Sequence, residues 1–292
     1  VALVMGVVMV GYQTFQNNLN IQERYRALRN LRVLNAAVSS ITKILAGLLI
    51  ASSFALVSSH ILLMLILSII LFSNNFNKKP SLLITFSDYR DFIINRSSQE
   101  TLNAISQAFP VLFVGFYFGD EFAGFVGMAI VLLSIPSNLI GVTINNLLFP
   151  ELKKLNLYDG KKLVRLIFIY LALFGSLVFA LIILIIQPLL LFVFGPEWAV
   201  TGYVIIWLGL GYVFQMANKP HIALCTSLNL QHVLLKYEVF SFVAKFLFVI
   251  FILLTDNSFE IFIKGYGCLV AGMYLILVWM IEKGVLVYES SS

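Results

Sequence analysis

The stretch SSQETLNAISQAFPVLFVGFYFGDEFAGFVGMAIVLLSIPSNLIGVTINNLLFPELKKL (97–155) contains the pattern that decides the fold of this chain. Two apolar segments, 98–118 and 122–148, are joined by a gap without Lys or Arg, and the second leads into a basic gap. Each segment has about the 20 residues that an α-helix needs to cross a hydrocarbon core. Because a backbone in lipid must satisfy its own hydrogen bonds, both segments are predicted to be transmembrane helices.

The same pattern extends over the whole chain. Nine apolar segments can be recognised, at 1–15, 34–53, 55–73, 98–118, 122–148, 163–186, 200–218, 234–254 and 259–281. The chain is 60% hydrophobic and only 11% charged, whereas a soluble domain carries about 25% charged residues. We therefore expect an all-α fold, a polytopic transmembrane bundle of about nine helices.

Basic residues fall in every second gap between these segments or at its edges. In chain order they are Arg24, Arg26, Arg29 and Arg32, then Lys78, Lys79, Arg90 and Arg96, then Lys153, Lys154, Lys161, Lys162 and Arg165, and finally Lys219, Lys236 and Lys283. Cytoplasmic loops of polytopic membrane proteins carry an excess of Lys and Arg. With these gaps inside, 16 of the 19 basic residues are cytoplasmic, and so is the C-terminus.

The sequence gives no support for metal, cofactor or nucleic-acid chemistry. Cys225 and Cys268 lie in apolar surroundings without a CxxC pair, the three histidines form no HExxH motif, and no nucleotide-binding loop is present. The net charge of +5 comes mostly from side chains at membrane edges, which the positive-inside rule explains. We therefore predict no cofactor, no metal and no nucleic-acid partner.

The longest gap, 74–97, divides the segments unequally. It mixes Pro, Asn and both signs of charge, which is typical of a linker, and it has three segments before it and six after it. We expect residues 1–73 to be the last three helices of an N-terminal bundle, 74–97 to be a cytoplasmic linker, and 98–292 to be a six-helix bundle with a short tail. Segment 1–15 is too short to cross about 30 Å of hydrocarbon, so we interpret it as the end of a helix that begins upstream.

Three lysines break the alternation because they lie within predicted spans. A charge at the centre of a membrane helix costs about 2.5–3.5 kcal/mol on insertion scales, so it needs a partner or a wet cavity. Lys43, at mid-span, either faces a central cavity that attracts an anionic headgroup or pairs with a carboxylate elsewhere. Lys245 either lines the cavity or pairs with Glu238, seven residues earlier. Lys264 lies close to the external end and could extend its ammonium outward.

Segment 98–118 begins with an unusually polar half. Glu100, Asn103, Ser106, Gln107 and Pro110 recur at spacings of three and four residues, which places them on one helix face. Lipid against that face would leave polar groups unsatisfied. The face is therefore predicted to line a cavity or to form hydrogen bonds with another helix.

The next segment carries a second set of polar residues. Asn138 and Asn145 are seven residues apart and lie on similar faces. Pro136 is expected to kink this helix, either as a static bend or as a bend used in gating.

Several stretches resemble the polysaccharide biosynthesis flippases, which export lipid-linked O-antigen and related repeat units and belong to the multidrug/oligosaccharidyl-lipid/polysaccharide exporter superfamily. The resemblance covers nearly the whole chain. It is carried by the stretch 97–155 quoted above, by FGPEWAVTGYVIIWL (194–208), by ANKPHIALCTSLNLQ (217–231) and by RYRALRNLRVLNAAVSS (24–40). The family has two pseudo-symmetric helical bundles, and this chain would supply helices four to twelve.

The resemblance implies a flippase that moves undecaprenyl-pyrophosphate-linked oligosaccharides across the bacterial cytoplasmic (inner) membrane by alternating access, without enzymatic activity. Its partners would be the lipid-linked substrate, the bilayer and the polysaccharide polymerase machinery. The candidate substrate-binding residues are Lys43, Lys245, Glu100, Asn103, Gln107, Asn138 and Asn145. Two alternatives stay open, namely a drug or cation antiporter of the same superfamily and a membrane polysaccharide polymerase or ligase. The second usually needs a large external loop, and the external loops predicted here are short and lack Arg.

Overall fold

The computed structural model of the chain describes residues 38, 40, 41, 82–255 and 258–291. Its helices are α1 (Leu82–Tyr117), α2 (Asp120–Leu152), α3 (Leu157–Phe194), α4 (Ala199–Ala217), α5 (Lys219–Ser227), α6 (Gln231–Thr255) and α7 (Phe259–Ser291), with a 3-10 turn at Pro196–Trp198 before α4. Every described element is helical, which confirms the predicted all-α class. Each of the six segments predicted from residue 98 onward corresponds to one long helix. Of the three segments before them, the structure describes only residues 38, 40 and 41.

Five stretches in the described part of the chain are long and apolar enough to cross a membrane. They are α2, α3, the combined stretch Pro196–Ser227, α6 and the stretch Phe259–Ser290 of α7. Helix α1 is not among them, although segment 98–118 was predicted to span. The reason is that the first half of segment 98–118 is polar. These polar residues must be covered by protein before the helix can lie in hydrocarbon.

Helix α4 is the centre of the bundle, and it packs against α2, α3 and α7. Small residues make two of these contacts close. A Cβ atom added to Gly267 on α7 would lie 2.3 Å from the carbonyl oxygen of Trp207 on α4, and one added to Gly211 would lie 2.7 Å from Val270. Both glycines therefore permit a close approach between α4 and α7. Gly175 does the same between α3 and α4, because its added Cβ would lie 2.4 Å from Met216.

The bundle has two cores, one at each end. At the end where α2, α4 and α7 begin, the core contains many aromatic rings, among them Phe113 and Phe262; we call it the aromatic end. At the end where α3 and α6 begin, the core is mainly aliphatic, with Val164, Leu277 and Ile281 as examples. We call this second end the basic end, because most of the described lysines and arginines lie there.

Three predicted gaps differ from the structure. The gap predicted at 187–199 is mostly helix, because α3 continues through Pro188 to Phe194. The basic gap predicted at 150–162 is only four residues long, since α3 begins at Leu157 with Asn156 accepting a hydrogen bond from the Asp159 N–H. The gap predicted at 219–233 contains the short helix α5.

The break between α4 and α5 has a local cause. Pro220 occupies the first turn of α5, where a missing N–H costs nothing. The Asn218 side chain donates to the carbonyl oxygens of Phe214, at 2.9 Å, and of Tyr274, at 3.1 Å, which ties the break to α7.

Helix α1 begins at Leu82, so the predicted linker 74–97 is helical from that residue onward. Residues Phe86–Ser292 form one compact unit. The division of the protein into two bundles stays a prediction.

Helix α2 continues as one helix through Pro136. The use of that proline in gating stays a prediction.

Candidate functional site

The polar face of α1 is turned toward α6. Asn103 donates from its Nδ2 atom to Glu238 Oε1 at 2.8 Å. One turn further along, Ser106 is buried and accepts a hydrogen bond from the Lys245 ammonium at 2.6 Å. The face that the spacing of polar residues predicted is therefore covered by protein, and both predicted alternatives hold in part, since it makes hydrogen bonds between helices and also borders a cavity.

Glu238 and Lys245 lie two turns apart on α6, and each has a partner on α1. Glu238 is only 6% exposed, and its carboxylate accepts a hydrogen bond from Asn103. The two charges on α6 attract each other. Because a buried charge needs both hydrogen bonds and an opposite charge, this arrangement explains how the two ionisable groups are tolerated inside the bundle.

A cavity of about 50 Å³ lies between α1, α4, α6 and α7. Its volume is enough for several ordered water molecules. Its polar lining consists of Ser106, Gln107, Tyr212, Gln215, Lys245, Tyr266 and Tyr274. The described part of this lining therefore has one cationic group, two amides and several hydroxyls, and it contains no carboxylate.

The contribution of α4 and α7 to this cavity was not predicted. Gln215 accepts a hydrogen bond from Ser137 Oγ at 3.2 Å, and it lines the cavity beside Tyr274. The available signal was weak, because Gln215 is a single polar residue in the apolar run WLGLGYVFQMA (207–217) and has no periodic companions. An isolated intramembrane amide could nonetheless have been identified from its cost in lipid.

The structure brings together only some of the predicted site residues. Gln107 and Lys245 line the cavity, and Asn103 hydrogen-bonds to Gln107 on the same face. Glu100 lies one turn before Asn103, is exposed, and interacts electrostatically with Lys219.

Of the other three predicted residues, only the side chain of Asn138 is described. Asn138 is exposed on α2 and is not part of the described lining, whereas its neighbour Ser137 is buried and reaches Gln215. Lys43 and the side chain of Asn145 lie outside the part of the chain that the structure describes.

Lys264 is separate from the cavity. It is exposed at the aromatic end, where its ammonium lies 5.8 Å from the ring centroid of Tyr203 and 5.7 Å from that of Trp207. Glu260, one turn earlier, lies 3.9 Å away. The ammonium is therefore surrounded by two aromatic rings and a carboxylate, and its extension toward the membrane surface stays a prediction.

The chemistry available at the cavity is that of binding. A lysine ammonium can offset an anionic group, while amides and phenols can donate to or accept from hydroxyl groups. Within 82–255 and 258–290, no three His, Cys, Asp or Glu side chains come close enough to hold a metal ion.

The long apolar helices and the polar cavity between them place this chain in the class of polytopic helical membrane proteins. Within that class the chain belongs to the polysaccharide biosynthesis protein family, whose model matches residues 1–201, or 201 of the 292 residues. This confirms the predicted family. Neither the comparison with curated proteins nor the comparison with solved structures gave a match. The match includes the polar face of α1, whereas Gln215, Lys245 and Tyr274 lie beyond it.

Proposed function

We propose that this protein is a flippase that moves lipid-linked oligosaccharide repeat units across the bacterial cytoplasmic membrane for the assembly of surface polysaccharides such as O-antigen. The single observation that carries the proposal is the cavity between α1, α4, α6 and α7, where Lys245 is surrounded by amides and hydroxyls. Membership of the polysaccharide biosynthesis family supports it.

The side chains that line the cavity are suited to the physical task of such a flippase. The substrate, an undecaprenyl-pyrophosphate-linked oligosaccharide, has a doubly anionic headgroup and many sugar hydroxyls, and both must pass about 30 Å of hydrocarbon. A cation lowers the cost of moving the pyrophosphate, and neutral amides such as Gln107 and Gln215 can bond sugar hydroxyls without strict specificity. The cavity of about 50 Å³ is too small for that headgroup, so we regard it as the closed core of a larger opening formed during alternating access.

The proposal needs no covalent chemistry, so we propose a transporter without enzymatic activity. The alternation of basic gaps supports an orientation with the C-terminus in the cytoplasm. In that orientation the basic end of the bundle faces the cytoplasm. The polysaccharide polymerase machinery would receive the flipped repeat units on the other side.

The test compares two lysines in the bacteria that make this protein. We expect Lys245→Ala to reduce surface polysaccharide at least tenfold and to cause lipid-linked repeat units to accumulate, because the cavity loses its cation. Lys264→Ala is the matched control, since Lys264 is exposed and lies outside the cavity. Immunoblots of the membrane fraction establish that each variant is inserted, and Lys245→Arg should restore most of the activity.

A wild-type level of polysaccharide and of lipid-linked intermediates in inserted Lys245→Ala would refute the proposed role of the cavity. On sequence grounds, Lys43→Ala and Lys43→Glu should also abolish assembly while the protein still inserts. Full complementation by the Lys43→Glu variant would remove that residue from the proposal.

One observation favours the antiporter as a second candidate. Cation and drug antiporters use buried carboxylates, and Glu238 is a buried carboxylate close to a lysine. Proteoliposomes separate the two functions. A flippase moves a fluorescent lipid-linked oligosaccharide between leaflets, whereas an antiporter exchanges a cationic dye against an imposed proton or sodium gradient in a way that Glu238→Gln abolishes.

A further inference from the structure

A second opening lies at the basic end, between the first turns of α6 and the last turns of α7, and we call it the α6–α7 groove. Its volume is about 550 Å³, much larger than that of the central cavity. Lys236 and His232 approach it from α6, and Lys283, Trp279 and Tyr288 approach it from α7. No residue of the central cavity takes part in it.

The groove is positively charged because α7 separates its charges onto two faces. Glu282 and Glu289, seven residues apart, are turned toward α3, where Glu282 accepts from Arg165 Nε at 2.8 Å and Glu289 pairs with Lys161. Lys283 points to the other face, where its ammonium lies 5.1 Å from the ring centroid of Trp279. Among the described residues, no acidic side chain lines the groove.

The floor of the groove is apolar. It is formed by Leu230, which immediately precedes α6, by Val233 from α6, and by Met280 and Val287 from α7. The two helices approach closely here, since a Cβ atom added to Gly284 would lie 3.1 Å from Val233. The groove therefore combines an apolar floor with exposed lysines and with aromatic rings, which are enriched where membrane helices meet water.

These features select an amphiphile with an anionic headgroup. A soluble phosphate could use the lysines, but it has nothing to place on the apolar floor. An acyl chain covers that floor, and a phosphate group attached to it reaches the lysines. Basic pockets between membrane helices are known to suit the headgroups of anionic phospholipids.

We propose that the α6–α7 groove binds an anionic phospholipid of the surrounding leaflet, with its phosphate held by Lys236 and Lys283 and an acyl chain on the apolar floor. This site is separate from the proposed transport cavity. It does not depend on the identity of the transported substrate.

The experiment measures thermal unfolding of the full protein in a neutral detergent, titrated with phosphatidylglycerol or with phosphatidylcholine. We expect phosphatidylglycerol to raise the melting temperature saturably and phosphatidylcholine to leave it unchanged. The double variant K236Q/K283Q should bind phosphatidylglycerol about 30-fold more weakly, taking the usual contribution of a lysine near an anionic surface for each of the two. Lys264→Gln, which removes an exposed lysine at the opposite end, should bind as the wild type does.

If the double variant does not fold, Lys283→Gln alone should show a loss of about fivefold by the same reasoning. Equal stabilisation by phosphatidylcholine, or unchanged phosphatidylglycerol binding in a folded variant, would overturn the proposal. A third arm adds inorganic phosphate without lipid. If phosphate alone stabilises the protein as phosphatidylglycerol does, the site binds a free anion and the lipid assignment is wrong.

Discussion

The two ends of the bundle are held together by different interactions. At the aromatic end, rings from α1, α2 and α7 contact one another, with centroids 5.1 Å apart for Phe113 and Phe262 and 4.6 Å apart for Phe122 and Phe259. At the basic end, an aliphatic core is bordered by ion pairs between α3 and α7, of which Arg165–Glu282 is one. The polar cavity lies between these two regions.

The difference indicates which end opens more easily. Each aromatic pair contributes about 0.5–1.5 kcal/mol beyond the area that it buries, and a network of such pairs resists separation. An exposed ion pair contributes only about 0–1 kcal/mol, and salt weakens it. We therefore expect the basic end to separate first during the proposed alternating access, while the helices at the aromatic end stay packed.

The largest expected effect is at the centre of the aromatic core. Phe262 is fully buried, and Phe262→Ala should lower the free energy of unfolding by about 3 kcal/mol, at the low end of the usual range because the reference environment is lipid. Unfolding in mixed detergent micelles measures this. Phe192→Ala is the matched control, since Phe192 is 89% exposed and its truncation should change little. Equal losses in the two variants would contradict the aromatic core as the stable end.

The next effect tests the close contact between α4 and α7. Gly267→Ala would place a methyl group against the backbone of Trp207, and we expect it to destabilise the protein by about 2 kcal/mol through overpacking. Gly272, on the same helix, has nothing within 4 Å of an added Cβ. Gly272→Ala should therefore be neutral or slightly stabilising because alanine favours helix. Thermal unfolding of both variants gives the comparison, and a harmless Gly267→Ala would show that the two helices can separate without cost.

The smallest effect is expected at the ion pairs of the basic end. A double-mutant cycle with Arg165→Gln and Glu282→Gln should give a coupling free energy of about 0.5 kcal/mol that decreases with added salt. The same unfolding measurement, made at low and high ionic strength, gives this value. A coupling above about 2 kcal/mol, insensitive to salt, would place the basic end among the firmly held regions and reverse the expected order of opening.

The helices could be predicted because their signal is local. Long apolar segments separated by polar gaps indicated each long helix from α1 to α7. The extension of α3 through Pro188 could not be foreseen, because Gln187 and Pro188 interrupt the apolar run as a loop would. The short helix α5 was also missed, since the break between α4 and α5 is held by the contact between Asn218 and a carbonyl of α7.

The site was predictable on one helix and not between helices. The spacing of Asn103, Ser106 and Gln107 showed that one face of α1 needs hydrogen-bonding partners. It could not show which helix supplies them, because Glu238 and Lys245 lie more than a hundred residues further along the chain. For Lys245, lining a cavity and interacting with Glu238 were predicted as alternatives, but the two occur together. Lys245 lines the cavity, donates a hydrogen bond to Ser106 and is attracted by Glu238.

The distance along the chain between α1 and its partners also affects how the protein is made. Asn103 and Glu238 are separated by 135 residues, and Ser106 and Lys245 by 139. At about 5–20 residues per second, the ribosome needs about 7–28 seconds to produce the partner after α1 has been made. During that interval the polar face of α1 must be sheltered by the insertion machinery or by other parts of the nascent chain. Helix α1 is therefore the first helix of this bundle to be synthesised, while the helix that covers its polar face is the last but one.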